Sequence, residues 1–257
     1  MNRGREPLPA HVRDTPALPA AYRDALAGGL ADLGLVLDDA ALAAIDGHVR
    51  LLLAWTRAIN LTGIRDPAAV ALGHVVDSLT AVERLRSLRV EQMLDMGSGG
   101  GFPGVPLAAA IPSLQVDLVE PIAKKARFLA TAVEATGLAP RVSVITARAE
   151  DLARDPGRRG AWPAVTARAV GSTAEVVELA FPLLGEGGVL IAWKRGAIEG
   201  ELVAARRAID ALGGGTNEVE DPGVRDLPGH RLVVATRTGS VPAAFPREPA
   251  VRRRRPW

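Results

Sequence analysis

The sequence predicts an α/β protein in which a doubly wound, mostly parallel seven-stranded sheet carries an N-terminal helical cap. Two observations predict the sheet. Short apolar segments alternate with amphipathic helical ones from residue 90 to residue 238. The apolar segments are hydrophobic on both faces, which is typical of parallel strands covered by helices on each side. A third observation predicts the cap, because residues 17–88 have helical patterns and precede the first strand.

The chain of 257 residues divides into four predicted parts. Residues 1–16 are rich in proline and charge, and we expect a disordered arm there. Residues 17–88 form the helical subdomain and residues 89–240 form the sheet domain. Residues 241–257 are expected to be a basic, disordered tail.

Hydrophobic periodicity and capping residues locate the helices of the cap. Asp38 or Asp39 is suited to cap the second helix. Asp66 followed by Pro67 predicts the start of the third, because proline is favoured at the first helical position. The predicted helices span residues 20–34, 38–59 and 66–86.

Six strands of the sheet domain can be located in the sequence, with helices between them. The strands are residues 90–96, 114–120, 142–147, 163–170, 187–194 and 230–238. The helices begin near Gly104 and span residues 122–137, 173–184 and 197–213. Gly137 is placed to end its helix in a left-handed conformation.

The composition excludes several classes of protein. The chain has no cysteine, which rules out disulfides, cysteine-ligated metals and a cysteine nucleophile. Its N-terminus lacks the apolar core of a signal peptide, and no apolar run approaches the ~18 residues of a membrane span. We therefore expect a cytoplasmic protein with no membrane association and no metal.

Positive charge is concentrated at the C-terminus. The net charge is only +2, but residues 245–257 contain five arginines and one glutamate. The four arginines Arg252, Arg253, Arg254 and Arg255 are candidates for binding RNA, and a solubilising disordered end is the alternative. Lys124 and Lys125 open a helix near the expected cleft and could contact phosphate, unless they form an ordinary solvated helix face.

The stretch LDMGSGGGFPG, residues 94–104, lies between the first strand and the next helix. In a doubly wound sheet this loop brings backbone amides close to a ligand. A P-loop is excluded, because no Gly-Lys-Ser/Thr follows. Gly99, Gly101 and Gly104 match the dinucleotide fingerprint, whereas Gly97, Gly99 and Gly101 preceded by Asp95 match the pattern of S-adenosylmethionine (SAM) methyltransferases.

Acidic residues after the next two strands favour a nucleoside ligand. Glu120 ends the second strand, where a carboxylate can accept hydrogen bonds from a ribose diol; an exposed strand-end acid is the alternative. Ala149 and Glu150 are predicted at the end of the third strand, where a backbone amide and an acid can contact an adenine edge. The segment TARAVGS after the fourth strand has no histidine or Tyr-Lys pair for proton transfer, which favours SAM over NAD.

The sequence also limits which kinds of atom could accept the methyl group. Methylation of a pyrimidine C5 commonly uses a cysteine nucleophile, and the chain has none. The Asn/Asp-Pro-Pro-aromatic motif used for exocyclic amines is absent after the fourth strand. A ring nitrogen with a free lone pair, such as guanine N7, requires positioning and desolvation only.

Seven blocks in this order resemble the bacterial ribosomal RNA small-subunit methyltransferase G family, also called glucose-inhibited division protein B. They are NLTGIRDP (60–67), HVVDSL (74–79), LDMGSGGGFPGVPLA (94–108), KKARFL (124–129), ITARAED (145–151), TARAVGS (166–172) and HRLVV (230–234). The likeness covers residues 22–238. The family's arginine before the histidine of HVVDSL is Gly73 here, and its Lys-Gly after the fifth strand is Lys194-Arg195-Gly196.

The resemblance implies a Rossmann-like SAM-dependent enzyme that methylates N7 of one guanine in 16S rRNA of the small ribosomal subunit. Carried over residue by residue, it implies cofactor contacts at Gly97, Phe102, Ala149, Glu150 and Arg168, with Glu120 at the ribose. Arg168 is also the one candidate for positioning the reactants, by holding a carboxylate or a phosphate.

Two alternatives remain open at the level of the sequence. One is a SAM methyltransferase with a small-molecule or protein acceptor, and the other is a nucleotide- or RNA-binding module without catalysis. Arg168 could instead pair with a surface acid. His74 and Asp77 could face the cleft or could be ordinary helix residues.

Overall fold

A computed structural model describes residues 7–257, and it confirms the predicted α/β class. Its seven strands are β1 (Gln92–Met96), β2 (Gln115–Val119), β3 (Val142–Ile145), β4 (Trp162–Arg168), β5 (Leu184–Arg195), β6 (Gly215–Glu220) and β7 (His230–Arg237). They form one sheet in the order β3-β2-β1-β4-β5-β7-β6. Strands β1 to β5 run parallel to one another, and β7 is antiparallel to both β5 and β6.

Helices precede the sheet and connect its strands. The cap contains α1 (Ala20–Asp32), α2 (Asp39–Ile59), α3 (Pro67–Val70), a π-helical segment (Ala71–Val76), α4 (Asp77–Leu79) and α5 (Val82–Ser87). The remaining helices are α6 (Gly104–Ala110), α7 (Ala123–Ala135), α8 (Ala149–Arg154), α9 (Thr173–Ala180), α10 (Glu199–Ala211) and α11 (Pro249–Arg254).

Each face of the sheet is covered by its own hydrophobic core. Alternation along β5 shows this, because Ile191 and Trp193 enter one core while Leu190 and Ala192 enter the other. The first core joins the sheet to the cap and to α6 and α7, and the second joins it to α8, α9 and α10. The N-terminal helices therefore share their core with the sheet.

Capping residues determine where the cap helices begin. The Asp38 carboxylate accepts a hydrogen bond from the Ala41 amide at 2.7 Å and starts α2. Asp66 accepts from the Ala69 amide at 2.8 Å, with Pro67 at the first helical position of α3. Both predicted starts are confirmed.

Three parts of the structure differ from the prediction. The single helix predicted over 66–86 is divided into α3, the π-helical segment, α4 and α5, with a turn at residues 80–81. The helix predicted over 173–184 ends at Ala180, and β5 begins already at Leu184. Strand β6 had no assigned segment, because it lies at the sheet edge and its side chains are half-buried or exposed. A strand with little apolar surface has no hydrophobic pattern from which to locate it.

The predicted disordered arm is wrong where the structure describes it. Residues 1–6 lie outside the described part of the chain. In the following segment the Trp55 indole donates to the Pro9 carbonyl at 2.8 Å, and the Arg50 guanidinium donates to the Val12 carbonyl at 3.0 Å. Residues 7–16 are therefore attached to α2, because their carbonyls satisfy donors that the helix presents.

From the sequence we expect neither membrane association nor a bound metal, and two features of residues 7–257 relate to these expectations. No helix in this range has both the length and the apolar surface needed to cross a membrane. Nor does the range contain a group of three or more histidine, aspartate or glutamate side chains that could hold a metal ion.

Candidate functional site

The glycine loop lies at the carboxyl edge of the sheet, between the end of β1 and the start of α6. Gly97, Gly99 and Gly101 have φ values of +75°, +54° and +90°, which residues with a Cβ rarely adopt. Gly104 is required for a different reason, because a Cβ there would lie 2.3 Å from a methyl carbon of Leu118. The loop conformation therefore depends on glycine at these positions.

Asp95 holds this loop from beneath. Its side chain is completely buried, and it accepts hydrogen bonds from the Gly104 amide at 3.2 Å and from the Thr166 hydroxyl on β4 at 2.9 Å. Burial raises the pKa of Asp95 to about 6, although these hydrogen bonds oppose the rise. Asp95 thus connects β1, β4 and α6 and shapes the loop from within.

Glu120 contacts the same loop from the end of β2. One carboxylate oxygen accepts from the Gly99 amide at 2.9 Å, and the other accepts from the Ile122 amide at 2.8 Å. The residue is only 4% exposed, so it is not an exposed strand-end acid. An ionised carboxylate can accept about four hydrogen bonds, which leaves capacity for a ribose diol.

Phe102 forms the centre of a second cluster, on the cap side of the loop. Its ring stacks on the His74 imidazole with centroids 4.8 Å apart, and it lies 4.6 Å from the His48 imidazole. The guanidinium carbon of Arg168 lies 5.3 Å from the centre of the same ring. The loop, the cap and the end of β4 therefore meet at Phe102.

Arg168 is held by the cap. Its guanidinium donates to the Asp77 carboxylate at 2.8 Å and to the His74 carbonyl at 3.2 Å. Asp77 is 4% exposed and also accepts from His230 Nδ1 on β7 at 2.7 Å when that nitrogen carries the proton. Arg168 thus pairs with a buried acid, not with a surface one, and His74 and Asp77 both belong to this cluster.

The two histidines beside Phe102 are neutral at pH 7. Burial lowers the pKa of His48 to about 4 and that of His74 to about 4. His48 Nε2 lies 2.7 Å from the Gly100 carbonyl, and His74 Nε2 lies 2.6 Å from the Thr62 hydroxyl. The other ring nitrogen of His74 is 3.5 Å from the Arg168 guanidinium. His74 therefore has neighbours at both nitrogens.

Ala149 and Glu150 lie one element later than predicted. Strand β3 ends at Ile145, and the two residues form the first turn of α8. The Glu150 carboxylate forms an ion pair with Arg252 of α11. Burial by itself would raise the pKa of Glu150, but the hydrogen bond and charge of Arg252, together with a backbone hydrogen bond and the charge of Arg148, outweigh it and lower the pKa.

The prediction of a disordered basic tail is wrong for residues 241–257. Arg247 binds the completely buried carboxylate of Glu178, with a shortest distance of 2.6 Å. The Trp257 indole donates to the same carboxylate at 2.7 Å and stacks on Phe245. The tail is ordered because two of its arginines neutralise buried acids of the sheet domain.

The candidate RNA-binding residues differ in exposure. Arg252 is 9% exposed and engaged with Glu150, so it is not a free surface cation. Arg253 and Arg254 are exposed on α11, and Arg255 is exposed directly after its end. Lys124 is exposed and Lys125 half-buried in the first turn of α7.

Two partners in the site, His230 and Thr166, had no role assigned from the sequence, and Arg252 was assigned to RNA and not to this site. His230 lies in the block HRLVV, and Thr166 lies in TARAVGS, so the family resemblance contained a signal for both. For Arg252 there was no such signal, because a run of four arginines indicates a solvated segment unless the buried acid is known.

The chain matches known proteins over most of its length. The model of the GidB family, described as rRNA small subunit methyltransferase G, matches residues 41–223. Two proteins named ribosomal RNA small subunit methyltransferase G are similar to this chain. The one from Roseiflexus castenholzii is 41% identical over 226 residues, covering 87% of this chain and 94% of the relative. The one from Pelotomaculum thermopropionicum is 36% identical over 229 residues, covering 89% and 95%.

Solved structures share the fold at low sequence identity. A Pyrococcus horikoshii protein, PH0793, described as a transferase, superposes with a TM-score of 0.50 at 15% identity and covers 64% of each chain. This similarity supports the α/β architecture alone.

Proposed function

Because this chain belongs to the rRNA small subunit methyltransferase G family, we propose that it transfers a methyl group from SAM to N7 of one guanine in 16S rRNA. Membership confirms the predicted family, the methyltransferase class and the SAM cofactor. It also supports ribosomal RNA as the acceptor. The guanine, its N7 atom and the residues assigned below are our proposal.

The observation that carries the cofactor site is the contact between Glu120 and the glycine loop. The Gly99 amide and the Glu120 carboxylate are joined at 2.9 Å, so the loop and the end of β2 form one preorganised edge. We assign Gly97 to backbone contact with the cofactor and Glu120 to its ribose, because a buried carboxylate with spare lone pairs suits a diol.

The adenine side of the cofactor is assigned to the start of α8. Ala149 offers a backbone amide in the first turn, and Glu150 offers a carboxylate beside it. Adenine has a ring-nitrogen acceptor and an amino donor on one edge, which such a pair complements. This assignment places the adenine next to α11.

Phe102 and Arg168 are assigned to the methyl-transfer end. Phe102 is 6% exposed and can wall an apolar pocket that excludes water. Arg168 lies over its ring and is fixed by Asp77, so we assign it a positioning role at this wall.

The surroundings of Phe102 suit an acceptor that keeps no proton on the reacting atom. Among the described residues of this cluster, His74 has polar neighbours at both ring nitrogens and Asp77 is engaged by Arg168 and His230. His48 has no hydrogen-bond partner at Nδ1, but its side chain is completely buried. SAM supplies a methyl group on a positively charged sulfur. Transfer of that methyl group to the lone pair of guanine N7 would break its bond to sulfur, leave S-adenosylhomocysteine and move the positive charge to the base. No proton is removed, so no free general base is needed.

Contacts to the RNA are assigned to exposed cations at the two ends of this edge. Lys124 lies in the first turn of α7, shortly after Glu120. Arg253, Arg254 and Arg255 lie at the C-terminal end of α11, beside Arg252, which reaches Glu150. Lys125 is included because it is half-exposed. Phosphate contacts by such residues position an RNA without reading its sequence.

The test is mass spectrometry of 16S rRNA from cells lacking the protein, with the modified base mapped. We expect one N7-methylguanosine to disappear, to return with the wild-type gene, and not to return with Glu120→Ala. Purified protein with methyl-labelled SAM should then modify that base in small subunits or 16S rRNA.

Other outcomes would contradict specific parts of the proposal. An unchanged N7-methylguanosine pattern in the deletion strain would refute the guanine-N7 assignment. Label found in a protein or small-molecule fraction would favour a different acceptor. A Glu120→Ala protein that is folded and fully active would refute the ribose assignment.

A further inference from the structure

Arg252 lies inside a run of four arginines, but its environment differs from that of the other three. It is 9% exposed, whereas Arg253, Arg254 and Arg255 are exposed. Its guanidinium pairs with Glu150 through one nitrogen and donates to the Arg247 carbonyl at 2.8 Å through the other. The helix thus directs one arginine inward and leaves the rest on the surface.

The backbone that carries Arg252 is itself anchored. Arg247 is bound to the buried carboxylate of Glu178, and Trp257 donates to that same carboxylate. Arg159 adds three hydrogen bonds from the sheet domain, to the Phe245 carbonyl at 2.9 Å and to the Val241 and Pro242 carbonyls at 3.1 Å. Arg252 therefore reaches Glu150 from a fixed base.

We propose that Arg252 is a positioning residue of the cofactor site, which holds the Glu150 carboxylate in the orientation that receives the adenine amino group. This inference rests on the proposed function, because that function assigns Glu150 to the adenine. It makes the C-terminal helix a part of the cofactor site as well as a surface for RNA.

Three physical arguments support this role. The pair is nearly dry, with side-chain exposures of 10% for Arg252 and 11% for Glu150, so its geometry is well defined. A carboxylate has about four acceptor positions, so a guanidinium on one oxygen leaves the other oxygen for an amino group. Partners that orient a binding residue commonly matter almost as much as the residue itself.

The alternative is that Arg252 obstructs the site by neutralising the carboxylate that adenine would use. The two roles predict opposite changes in affinity. If Arg252 positions Glu150, its removal weakens SAM binding, because Glu150 then samples other rotamers and is protonated more readily. If Arg252 obstructs, its removal tightens SAM binding.

The test is calorimetry of SAM binding to the full-length protein, without RNA, for wild type and Arg252→Ala. We expect a dissociation constant about tenfold higher for the variant, equal to about 1.4 kcal/mol. In a methylation assay the KM for SAM should rise about as much, while kcat at saturating SAM stays within about twofold. Arg252→Lys should recover part of the affinity, because it keeps the charge but not the planar fork.

A double-mutant cycle shows whether Arg252 acts through Glu150. Glu150→Gln alone should weaken SAM binding, and adding Arg252→Ala should cause little further loss. Arg206→Ala is the matched control, because it removes an exposed arginine that pairs with Asp210 on α10. Its SAM affinity should equal that of wild type. If Arg252→Ala does not fold, the lysine variant alone decides, with thermal unfolding confirming its integrity.

Each contrary outcome is specific. Unchanged or tighter SAM binding by folded Arg252 variants overturns the positioning role. So does a loss that remains complete in the Glu150→Gln background. If Glu150→Gln itself leaves SAM binding unchanged, the adenine assignment in the proposed function fails too. If Glu150→Gln weakens SAM binding and the Arg252 variants do not, the adenine assignment stands and the inference about Arg252 alone fails.

Discussion

The glycine loop and the C-terminal segment both contact buried carboxylates, but they neutralise them in different ways. At the loop, Asp95 and Glu120 accept hydrogen bonds mainly from backbone amides. At the C-terminus, Glu150 and Glu178 are paired with arginine side chains that lie 102 and 69 positions away in sequence. One region is satisfied by local backbone, and the other by distant charges.

This difference determines how each region should respond to mutation. Backbone donors cannot be removed by substitution, so the loop is disturbed by changing its acids. A buried ion pair loses stability when either partner is removed, because the remaining charge is left without compensation in a dry environment. The C-terminal segment should therefore be the more sensitive region for stability, and the loop the more sensitive one for cofactor binding.

The largest expected effect is that of Arg247→Ala. The change removes the positive charge from the completely buried Glu178 carboxylate and leaves it with two neutral donors from the C-terminal segment, the main-chain amide of residue 247 and the Trp257 indole. We expect the free energy of unfolding to fall by about 3–5 kcal/mol, measured by urea denaturation. Arg154→Ala is the control. It breaks a pair with Glu248 whose side chains are 41% and 67% exposed, and it should cost at most about 1 kcal/mol.

If Arg247→Ala lowers the free energy of unfolding by less than Arg154→Ala does, the pair of Arg247 and Glu178 does not stabilise the C-terminal segment. Recovery offers a second check. Replacing both partners, as Arg247→Met with Glu178→Leu, should restore much of the stability, because the pair can be exchanged for apolar packing.

The next effect in size is that of Asp95→Ala at the loop. The Gly104 amide and the Thr166 hydroxyl lose their acceptor, and each unpaired buried donor costs about 1–3 kcal/mol. Removing a buried carboxylate relieves part of this cost, so we expect about 2–3 kcal/mol in urea denaturation. SAM affinity should fall at least about tenfold in calorimetry, because the loop geometry is disrupted.

Asp95→Asn should lie between wild type and Asp95→Ala, because the amide keeps one acceptor oxygen. If Asp95→Ala retained wild-type SAM affinity, the loop would not depend on this acid. Arg247→Ala should show the opposite balance. While it remains folded, it should lose more stability than Asp95→Ala and less affinity for SAM.

A third, smaller effect concerns pH. In the unfolded chain His48 binds a proton at its ordinary pKa of 6.5, whereas in the folded protein its pKa is about 4. The stability that this neutral histidine contributes is present above pH 6.5 and is lost as the pH falls toward 4. His48→Gln should therefore reduce the stability loss between pH 6.5 and 5 by about 1.5 kcal/mol, measured by urea denaturation at each pH.

The contribution of Asp95 to stability changes with pH in the opposite direction to that of His48, so the two effects must be separated. Its pKa is raised to about 6, so its relative contribution is largest below its unfolded value of 3.8 and is lost as the pH rises through 6. The comparison of variant and wild type cancels that contribution. Parallel pH profiles for the two proteins would show that His48 is not the titrating group.

The smallest effect on stability is expected for the triple substitution of Arg253, Arg254 and Arg255 by alanine. All three are exposed, so the free energy of unfolding should stay within about 0.5 kcal/mol. The slope of log affinity for 16S rRNA against log salt should become shallower by about 0.7–0.9 for each phosphate that the variant no longer neutralises. An unchanged slope would exclude these arginines from RNA binding.

Deleting residues 251–257 would be a poorer version of this test. It would also remove Arg252 from Glu150 and Trp257 from Glu178, so weaker RNA binding could follow from a damaged cofactor site. The point substitutions separate the outward arginines from the inward one.

Much of the candidate site could be predicted because its chemistry is local in sequence. The glycines at 97–104, the acid before them and the acid at the end of the second strand lie at the same edge in any parallel sheet of this kind. The helix starts at Asp38 and Asp66 were predictable for the same reason, since a cap and its helix are adjacent in the chain.

The failures share a different cause. Strand β6 is stabilised by pairing with β7 and not by an apolar pattern of its own. The C-terminal segment was expected to be disordered because its composition is basic, and composition does not reveal that Glu178 and Glu150 are buried where arginines can reach them.

By itself, the sequence determined the fold class, the family, the cofactor and the loop that shapes its site, because glycine conformations and strand-end acids are properties of short segments. Only the tertiary structure decided which arginine of the run at 252–255 turns inward, and that Arg168 is held by Asp77, which His230 also contacts. The physical reason is that burying a charge requires a partner, and that partner can come from any part of the chain.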